Sequence, residues 1–547
     1  MFGKKTEKQE ISGSLLPHFS LLNAAASEAK CTSLAELFER NPNRADDYCF
    51  SLGAPGSESL RFDFSKTHLN KSVISLFEQF AQDSSLLQQR DKLLAGEVVN
   101  PTEKRPALHA AMRSDTASDE ILTQREASYQ FAEAVRNGKI TNATGTKYRH
   151  IIHLGIGGSA LGPQLLLQAL GFGIDSDFET HCVANVDGHA LQPAMDACDP
   201  NQTLVIVASK TFTTTETLCN AKTLMSWMEK GGVSNPLEHL VGVTASPEKA
   251  EKFGISKEKV LTFPEGLGGR YSIWSSVSLV AMIVLGRSAF EAMRAGAIQM
   301  DQHFATAPVS ENIPLLAAMT DVWYGNAWGA ATRAQFAYDS RLCVLLPYLQ
   351  QLEMENNGKN ISAEGEKIEW QSSPILWGGI GTDAQHAVFQ LLHQGTHLIP
   401  TEFIAVIKAG HDLDEHHKCL LANCFAQSAA LMKGRTADQA RAMLPDSIES
   451  DSERELLAQS KSFSGNRPST TIILESLDAK SLGALIAFYE HRSFVSGTLW
   501  QINVFDQMGV ELGKELAKSY QEVIESGDFG SLDIDDSTRK LLQLVLN

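Results

Sequence analysis

What this chain has little of narrows the reading before any motif is weighed. Its 547 residues include eight cysteines, at positions 31, 49, 182, 198, 219, 343, 419 and 424, with no CxxC pair and no disulfide-like rhythm. Reduced thiols in a cytoplasmic protein are the simplest account. Long apolar runs are missing: the most apolar stretch, Ile273 to Leu285, contains three serines and is too short to span a bilayer, so no membrane partner is expected. Behind its lysines the N-terminus, MFGKKTEKQEISGS, carries no apolar stretch, which argues against a secretory leader. Positive charge is in the minority, 47 Lys and Arg against 65 Asp and Glu for a net charge of -18. A nucleic-acid binder needs the opposite balance. Any phosphate must therefore be held by local cations. Metal motifs are poor: His393 and His397 have zinc-helix spacing, but Gln394 stands where HExxH needs its glutamate.

What is present describes a globular protein of more than one domain, with 43% hydrophobic and 20% charged residues. Residues 1 to about 118 read as helical, with Val73, Leu76, Phe77 and Phe80 at helical spacing. From about 150 to 264 strands alternate with amphipathic helices, at His150 to Leu154, His181 to Val186, Thr203 to Ala208, Leu240 to Thr244 and Val260 to Phe263. That alternation predicts an α/β fold with a doubly wound parallel sheet. Ligands should sit beyond the carboxyl ends of its strands. After a helical stretch near 288 to 330, a second alternating region offers strands at Leu342 to Leu346, Ile375 to Gly378, Phe403 to Lys408 and Thr470 to Leu474. Its turn GGIGTDAQHA echoes the earlier GIGGSALG and suggests two related α/β units. A helix from about Gln507 to Glu525 and a short one from Arg539 close the chain.

The stretch that organises the rest is Thr203 to Thr217, where a continuously apolar strand runs into hydroxyls. Six of the nine residues Ser209 to Thr217 are Ser or Thr, Lys210 lies among them, and a helix follows. One hydroxyl suffices for an N-cap. Six with a lysine, at a helix N-terminus whose amides already favour an anion, make a phosphate cradle. Gly158 and Ser159 of the LGIGGSALGP turn supply its other wall. That turn also fits the loose dinucleotide fingerprint, with Asp187 placed to hold a ribose, but a dinucleotide has no need for the second anion-friendly turn. In EGLGGRYSIWSS two glycines admit close backbone approach and place Arg270 on the ligand side of the sheet, where a cation stabilises an oxyanion. PYLQQLEMENNGK carries Glu353 and Glu355, either of which suits a general base; periodicity does not choose, though a helix sets Gln351 and Glu355 on one face. His386 follows a glycine-rich strand end and should open a helix toward the crevice. Gln507, Glu511 and Lys514 share a helical face, as surface decoration or as a pocket wall.

Taken in order, NPTEKRPALHAAMR, GIGGSALGP, SKTFTTTET, GLGGRYSIWSS, QQLEMENNGK, GTDAQHAVFQLLHQGT and FDQMGVELGKEL resemble the glucose-6-phosphate isomerase family across essentially the whole chain. The resemblance implies two sugar-isomerase (SIS) type α/β domains, 119–287 and 288–506, with an N-terminal helical segment, 1–118, packing on the second domain and a C-terminal helical arm, 507–547. It implies a cytoplasmic homodimer that interconverts glucose 6-phosphate and fructose 6-phosphate without cofactor or metal. Carried over by motif, Gly158, Ser159, Ser209, Lys210, Thr211 and Thr214 hold the phosphate and Glu355 is the base with Gln351 nearby. Arg270 steadies the intermediate, His386 and Lys514 handle ring opening, and Gln507 lines the pocket. A regulatory sugar-phosphate sensor on the same domains would have no need for base, acid and cation together.

Overall fold

The computed structural model describes residues 16–53, 59–174, 176–530 and 532–546, so the N-terminal stretch read above for a leader lies outside the described residues. The chain divides into two units, Met1–Val504 and Phe505–Asn547. In the larger unit the helix Lys71–Asp83 buries Val73, Phe77 and Phe80 along one stripe, as their spacing predicts. The expectation that residues 1 to 118 are helical is corrected by four short strands. β1 (Cys49–Leu52) and β2 (Leu60–Asp63) pair antiparallel, and β3 (Val98–Asn100) and β4 (Arg105–Pro106) form a separate ribbon. Strands this short carry too little alternation to declare themselves in sequence. β2 forms because Leu60 and Phe62 bury against the sheet it extends while Arg61 faces out.

β5 (His150–Leu154), β6 (Glu179–Val183), β7 (Thr203–Ala208), β8 (Leu240–Thr244) and β9 (Val260–Thr262) form an all-parallel sheet in the order β6-β5-β7-β8-β9. Every residue of β7 and β8 is buried, as their continuous apolarity requires. Val205 and Val207 pack with Ala221, Leu224 and Met228 of the helix Thr215–Lys230. Burial of each such valine or leucine contributes about 1.5–3 kcal/mol. The chain leaves β5 for β6 on one side and returns to β7 on the other, so the turns after β5 and β7 open onto a crevice that no crossover fills.

β10 (Thr332–Tyr338), β11 (Ile375–Ile380), β12 (Thr401–Val406) and β13 (Ser469–Leu474) make a second parallel set, extended at β13 by antiparallel β2 and then β1. In both sheets the first four parallel strands lie in the spatial order second, first, third, fourth, the topological counterpart of the two units suggested by the echoing glycine turns. The strand expected at Leu342 to Leu346 is a correction: these residues close a 3-10 turn, Ser340–Leu342, and open the helix Leu345–Gln350. Its place is taken by β10, which hydropathy hides because it carries Arg333 and Gln335. Both are buried, Arg333 paired with Glu353 at 2.5 Å and Gln335 Nε2 donating to the Tyr489 hydroxyl at 3.2 Å.

The C-terminal unit consists of a 3-10 turn, Met508–Val510, and helices Glu511–Ser526 and Asp536–Leu546, the first ended by Gly527 in the left-handed region (φ 72°). The helix expected from Gln507 begins only at Glu511, because the tight turn around Gly509, a poor helix former, intervenes. Gln507, at φ -147° and ψ 46°, therefore shares no helical face with Glu511 and Lys514.

Candidate active site

The glycine turn after β5 is built for close approach. Gly157 sits at φ 55°, and a Cβ there would lie 3.0 Å from Gln351 Nε2. At Gly158 a Cβ would fall 2.2 Å from the Gly269 carbonyl and 2.5 Å from the Arg270 nitrogen. So this turn, the Arg270 segment and the Gln351 segment meet at one place, although they come from three parts of the chain. The Ser159 carbonyl accepts from His153 Nε2 at 2.7 Å, which ties the turn back to its strand. Burial holds the His153 imidazole down to about 4, so it stays neutral.

Glu353 and Glu355 are separated by their surroundings. The residues Gln351–Glu355 form one π-helical turn after the helix Leu345–Gln350. Glu353 points into the second sheet and pairs with Arg333. Glu355 faces the other way: its Oε2 accepts from Gln351 Nε2 at 2.9 Å, the predicted i, i+4 pairing, and its Oε1 lies 3.5 Å from Arg270 Nη1. The Glu355 side chain is 22% exposed and that of Arg270 only 2%. This carboxylate is reachable from the crevice, with a cation fixed beside it. The guanidinium is held by its Nε donating to Asn356 Oδ1 and its Nη2 donating to the Val504 carbonyl at 2.7 Å.

In the hydroxyl loop, Thr214 occupies the N-cap position of the helix Thr215–Lys230 without a side-chain capping bond. Its hydroxyl instead meets that of Ser209 at 2.9 Å, and Thr211 meets Thr213 at 2.7 Å. The hydroxyls are therefore not consumed by capping. The Lys210 carbonyl anchors the loop by accepting from the Ala245 amide and the Thr244 hydroxyl, both at 3.0 Å. Its ammonium forms no ion pair among the described residues. Burial, and next the cation of Arg105, hold it below the ordinary lysine range, with a smaller push from Arg270. Arg105 in turn bonds Glu103 at 2.7 Å and Glu265 at 2.9 Å. An unpaired, half-buried ammonium among hydroxyls and helix N–H groups is a ready anion site.

The remaining predicted residues have surroundings of their own. His386 lies in the first turn of the helix Asp383–Gln394, as expected, but it is exposed and has no hydrogen-bond partner among the described residues. Lys514 belongs to the C-terminal unit, where it pairs with Glu511 at 3.0 Å in the exposed manner of the decorative reading. Sequence reasoning missed the scaffold behind Arg270: Asn356, Tyr271 and Ser493. It also passed over Glu103 and Arg105, although both lie in the motif NPTEKRPALHAAMR. The position of those two charges beside the lysine of another motif could have been found only by knowing that β4 approaches Glu265. A cavity lined by Asp321, Arg333, Thr401, Glu402, Ser469 and Arg492 shares no residue with the cluster and lies at the amino ends of β10, β12 and β13.

The chain is similar to known proteins over nearly its whole length. A family model described as phosphoglucose isomerase matches residues 63–542. The glucose-6-phosphate isomerase of Rhizorhabdus wittichii is 48% identical over 527 residues, covering 95% of this chain and 98% of that one. That of Burkholderia pseudomallei is 42% identical over 537 residues, covering 96% and 97%. The crystal structure of a glucose-6-phosphate isomerase from Chlamydia trachomatis superposes with a TM-score of 0.82 at 29% identity, covering 97% of this chain and 99% of that one.

Proposed function

The chain belongs to the phosphoglucose isomerase family, and from that premise we infer that it is an aldose–ketose isomerase interconverting glucose 6-phosphate and fructose 6-phosphate. In this reading the sugar ring opens to expose a carbonyl, and one proton moves between C2 and C1 through an enediolate. The C2 proton is acidic only because the enediolate spreads its charge, so a base and a cation must act together. The observation that carries the reading is the 3.5 Å approach of Glu355 to Arg270 beside the Gly157–Gly158 turn. A base so placed typically contributes roughly 10²–10⁴-fold, and an oxyanion donor on the order of 10²–10³-fold. A carboxylate beside both carbons can return the same proton to the neighbouring carbon, which is the chemistry of an isomerase that uses no redox cofactor.

Within this reading the phosphate rests on Gly158, Ser159, Ser209, Lys210, Thr211 and Thr214, supported by the unpaired ammonium and the uncapped hydroxyls. Gln351 orients Glu355 and His386 opens the ring. We also propose a cytoplasmic homodimer; the eight free thiols suit a reducing compartment. The test is to incubate purified protein with fructose 6-phosphate and EDTA in heavy water and follow it by NMR. Glucose 6-phosphate is the expected product, with deuterium at C2 in the turnovers in which the base exchanges its proton with solvent before returning it. Binding of the sugar phosphate without conversion would overturn the catalytic reading in favour of a sensor.

A further inference from the structure

We propose that Asn356 is a positioning residue that holds the Arg270 guanidinium beside Glu355, so that base and cation act as one rigid unit. The inference rests on the isomerase reading above and adds a residue to it. Asn356 is fully buried and follows Glu355 directly in the chain. Its Oδ1 accepts from Arg270 Nε, while its Nδ2 donates to the Tyr271 hydroxyl at 2.5 Å and to Ser493 Oγ at 2.8 Å. A guanidinium can only donate, so the amide oxygen must face it and the orientation of the amide is fixed by chemistry. Lys359 braces the same residue from behind, its Nζ donating to the Asn356 carbonyl at 2.8 Å and to the Asn503 carbonyl at 2.7 Å.

The consequence is geometric. Arg270 and Glu355 come from different segments, and their 3.5 Å approach is long for an ion pair that holds itself together. The amide links the guanidinium to the backbone that carries the base, through a single peptide unit. Tyr271, adjacent to Arg270 in sequence, closes the loop by meeting the same amide from the other side. Its ring is fixed by stacking on His109, with ring centroids 4.3 Å apart. Arg270 thus needs no rearrangement to meet developing negative charge, which is the condition under which such a cation is most effective. A misplacement of about 1 Å in such a constellation costs on the order of 10²-fold in rate.

The test measures kcat and KM for Asn356→Leu and Asn356→Asp, alone and combined with Arg270→Gln. Leucine removes the amide at similar size. Aspartate keeps the shape and an acceptor for Arg270, so it carries the test if the leucine variant fails to fold, but its charge competes with the enediolate for the guanidinium. Each single variant is expected to lose about 10- to 100-fold in kcat with KM changed by less than about threefold, because the phosphate cradle is untouched. In the Arg270→Gln background the loss is expected to shrink to within about threefold, since a residue acting through Arg270 has nothing left to position. An equal loss in both backgrounds, a loss confined to KM, or wild-type kcat in the aspartate variant overturns the inference. A wild-type protein that does not isomerise overturns the reaction and this inference with it; an active wild type matched by its Asn356 variants overturns the inference alone.

Discussion

Glu353→Ala and Glu355→Gln are expected to fail in opposite ways, one in stability and the other in chemistry. The two residues are of the same type, two positions apart in one turn, and the structure sends them to different environments. Glu353 pairs with Arg333 at 2.5 Å, and the two side chains are only 8% and 4% exposed. Deleting one partner of a buried pair typically costs about 3–5 kcal/mol, because it strands the other charge. Here Glu402 at 3.4 Å and Asp321 at 3.7 Å remain near Arg333, which puts the loss at the lower end, about 3 kcal/mol. Urea unfolding followed by circular dichroism should show that loss as a lower midpoint, with turnover of the folded protein reduced by less than about tenfold. Glu355→Gln keeps the size and the contact with Gln351, so its midpoint should barely move. Turnover should fall by on the order of 10²–10⁴-fold, or about 3–5 kcal/mol in the barrier. If Glu355→Gln retains near-normal turnover, or Glu353→Ala abolishes turnover at unchanged stability, the assignment of base and structural acid is reversed and the reasoning from burial fails.

Lys210→Ala should raise KM for the sugar phosphate by on the order of tenfold or more with a smaller effect on kcat, since the ammonium meets the ester and not the reacting carbons; an unchanged KM with an altered pH profile would remove it from the cradle. Gly158→Ala should reduce kcat and lower the urea midpoint together, because its Cβ would press at 2.2 Å on the Gly269 carbonyl and at 2.5 Å on the Arg270 nitrogen; normal kinetics would mean that the two segments separate freely. Burial holds His68, His153 and His303 down to about 4, and His303 Nε2 must stay unprotonated to accept from the Ile313 amide at 3.0 Å. Below an ordinary histidine value of about 6.5 the unfolded chain binds protons that these folded-state imidazoles refuse, so stability is present above that pH and is lost as pH falls toward 4. The urea midpoint should therefore drop between pH 7 and 5, before most carboxylates titrate, and a flat midpoint across that window would contradict neutral burial.

How much of this was legible in the sequence depends on how far apart the interacting residues lie. β5, β7 and β8 coincide with their expected bounds because strands covered on both faces are built on runs of apolar residues, Ile151-Ile152, Leu204 to Ala208 and Leu240 to Val243. The hydroxyl loop was legible for a similar reason: the cradle is one contiguous run, and its setting at a helix N-terminus follows from the next fifteen residues of sequence. β10 was not, because its polar side chains are satisfied by partners on other elements, Arg333 by the Glu353 carboxylate on the π-helical turn and Gln335 by the Tyr489 hydroxyl on the helix Ala479–Leu499. The same distinction runs through the site. Gln351 and Glu355 could be paired from spacing alone, since both partners lie within one turn. Glu353 could not be set aside that way, because what removes it from the chemistry is an arginine on a strand whose existence hydropathy conceals. Asn356 was hidden more deeply still: its three side-chain partners, Arg270, Tyr271 and Ser493, come from two distant segments, and nothing in ENNGK marks the first asparagine above the second. Local pattern thus identifies which residue types are available for the reaction, whereas the choice among them is made by partners brought from elsewhere in the fold. Double-mutant cycles across those long-range pairs, Glu353 with Arg333 and Asn356 with Arg270, are consequently the measurements that bear on the assignments most directly.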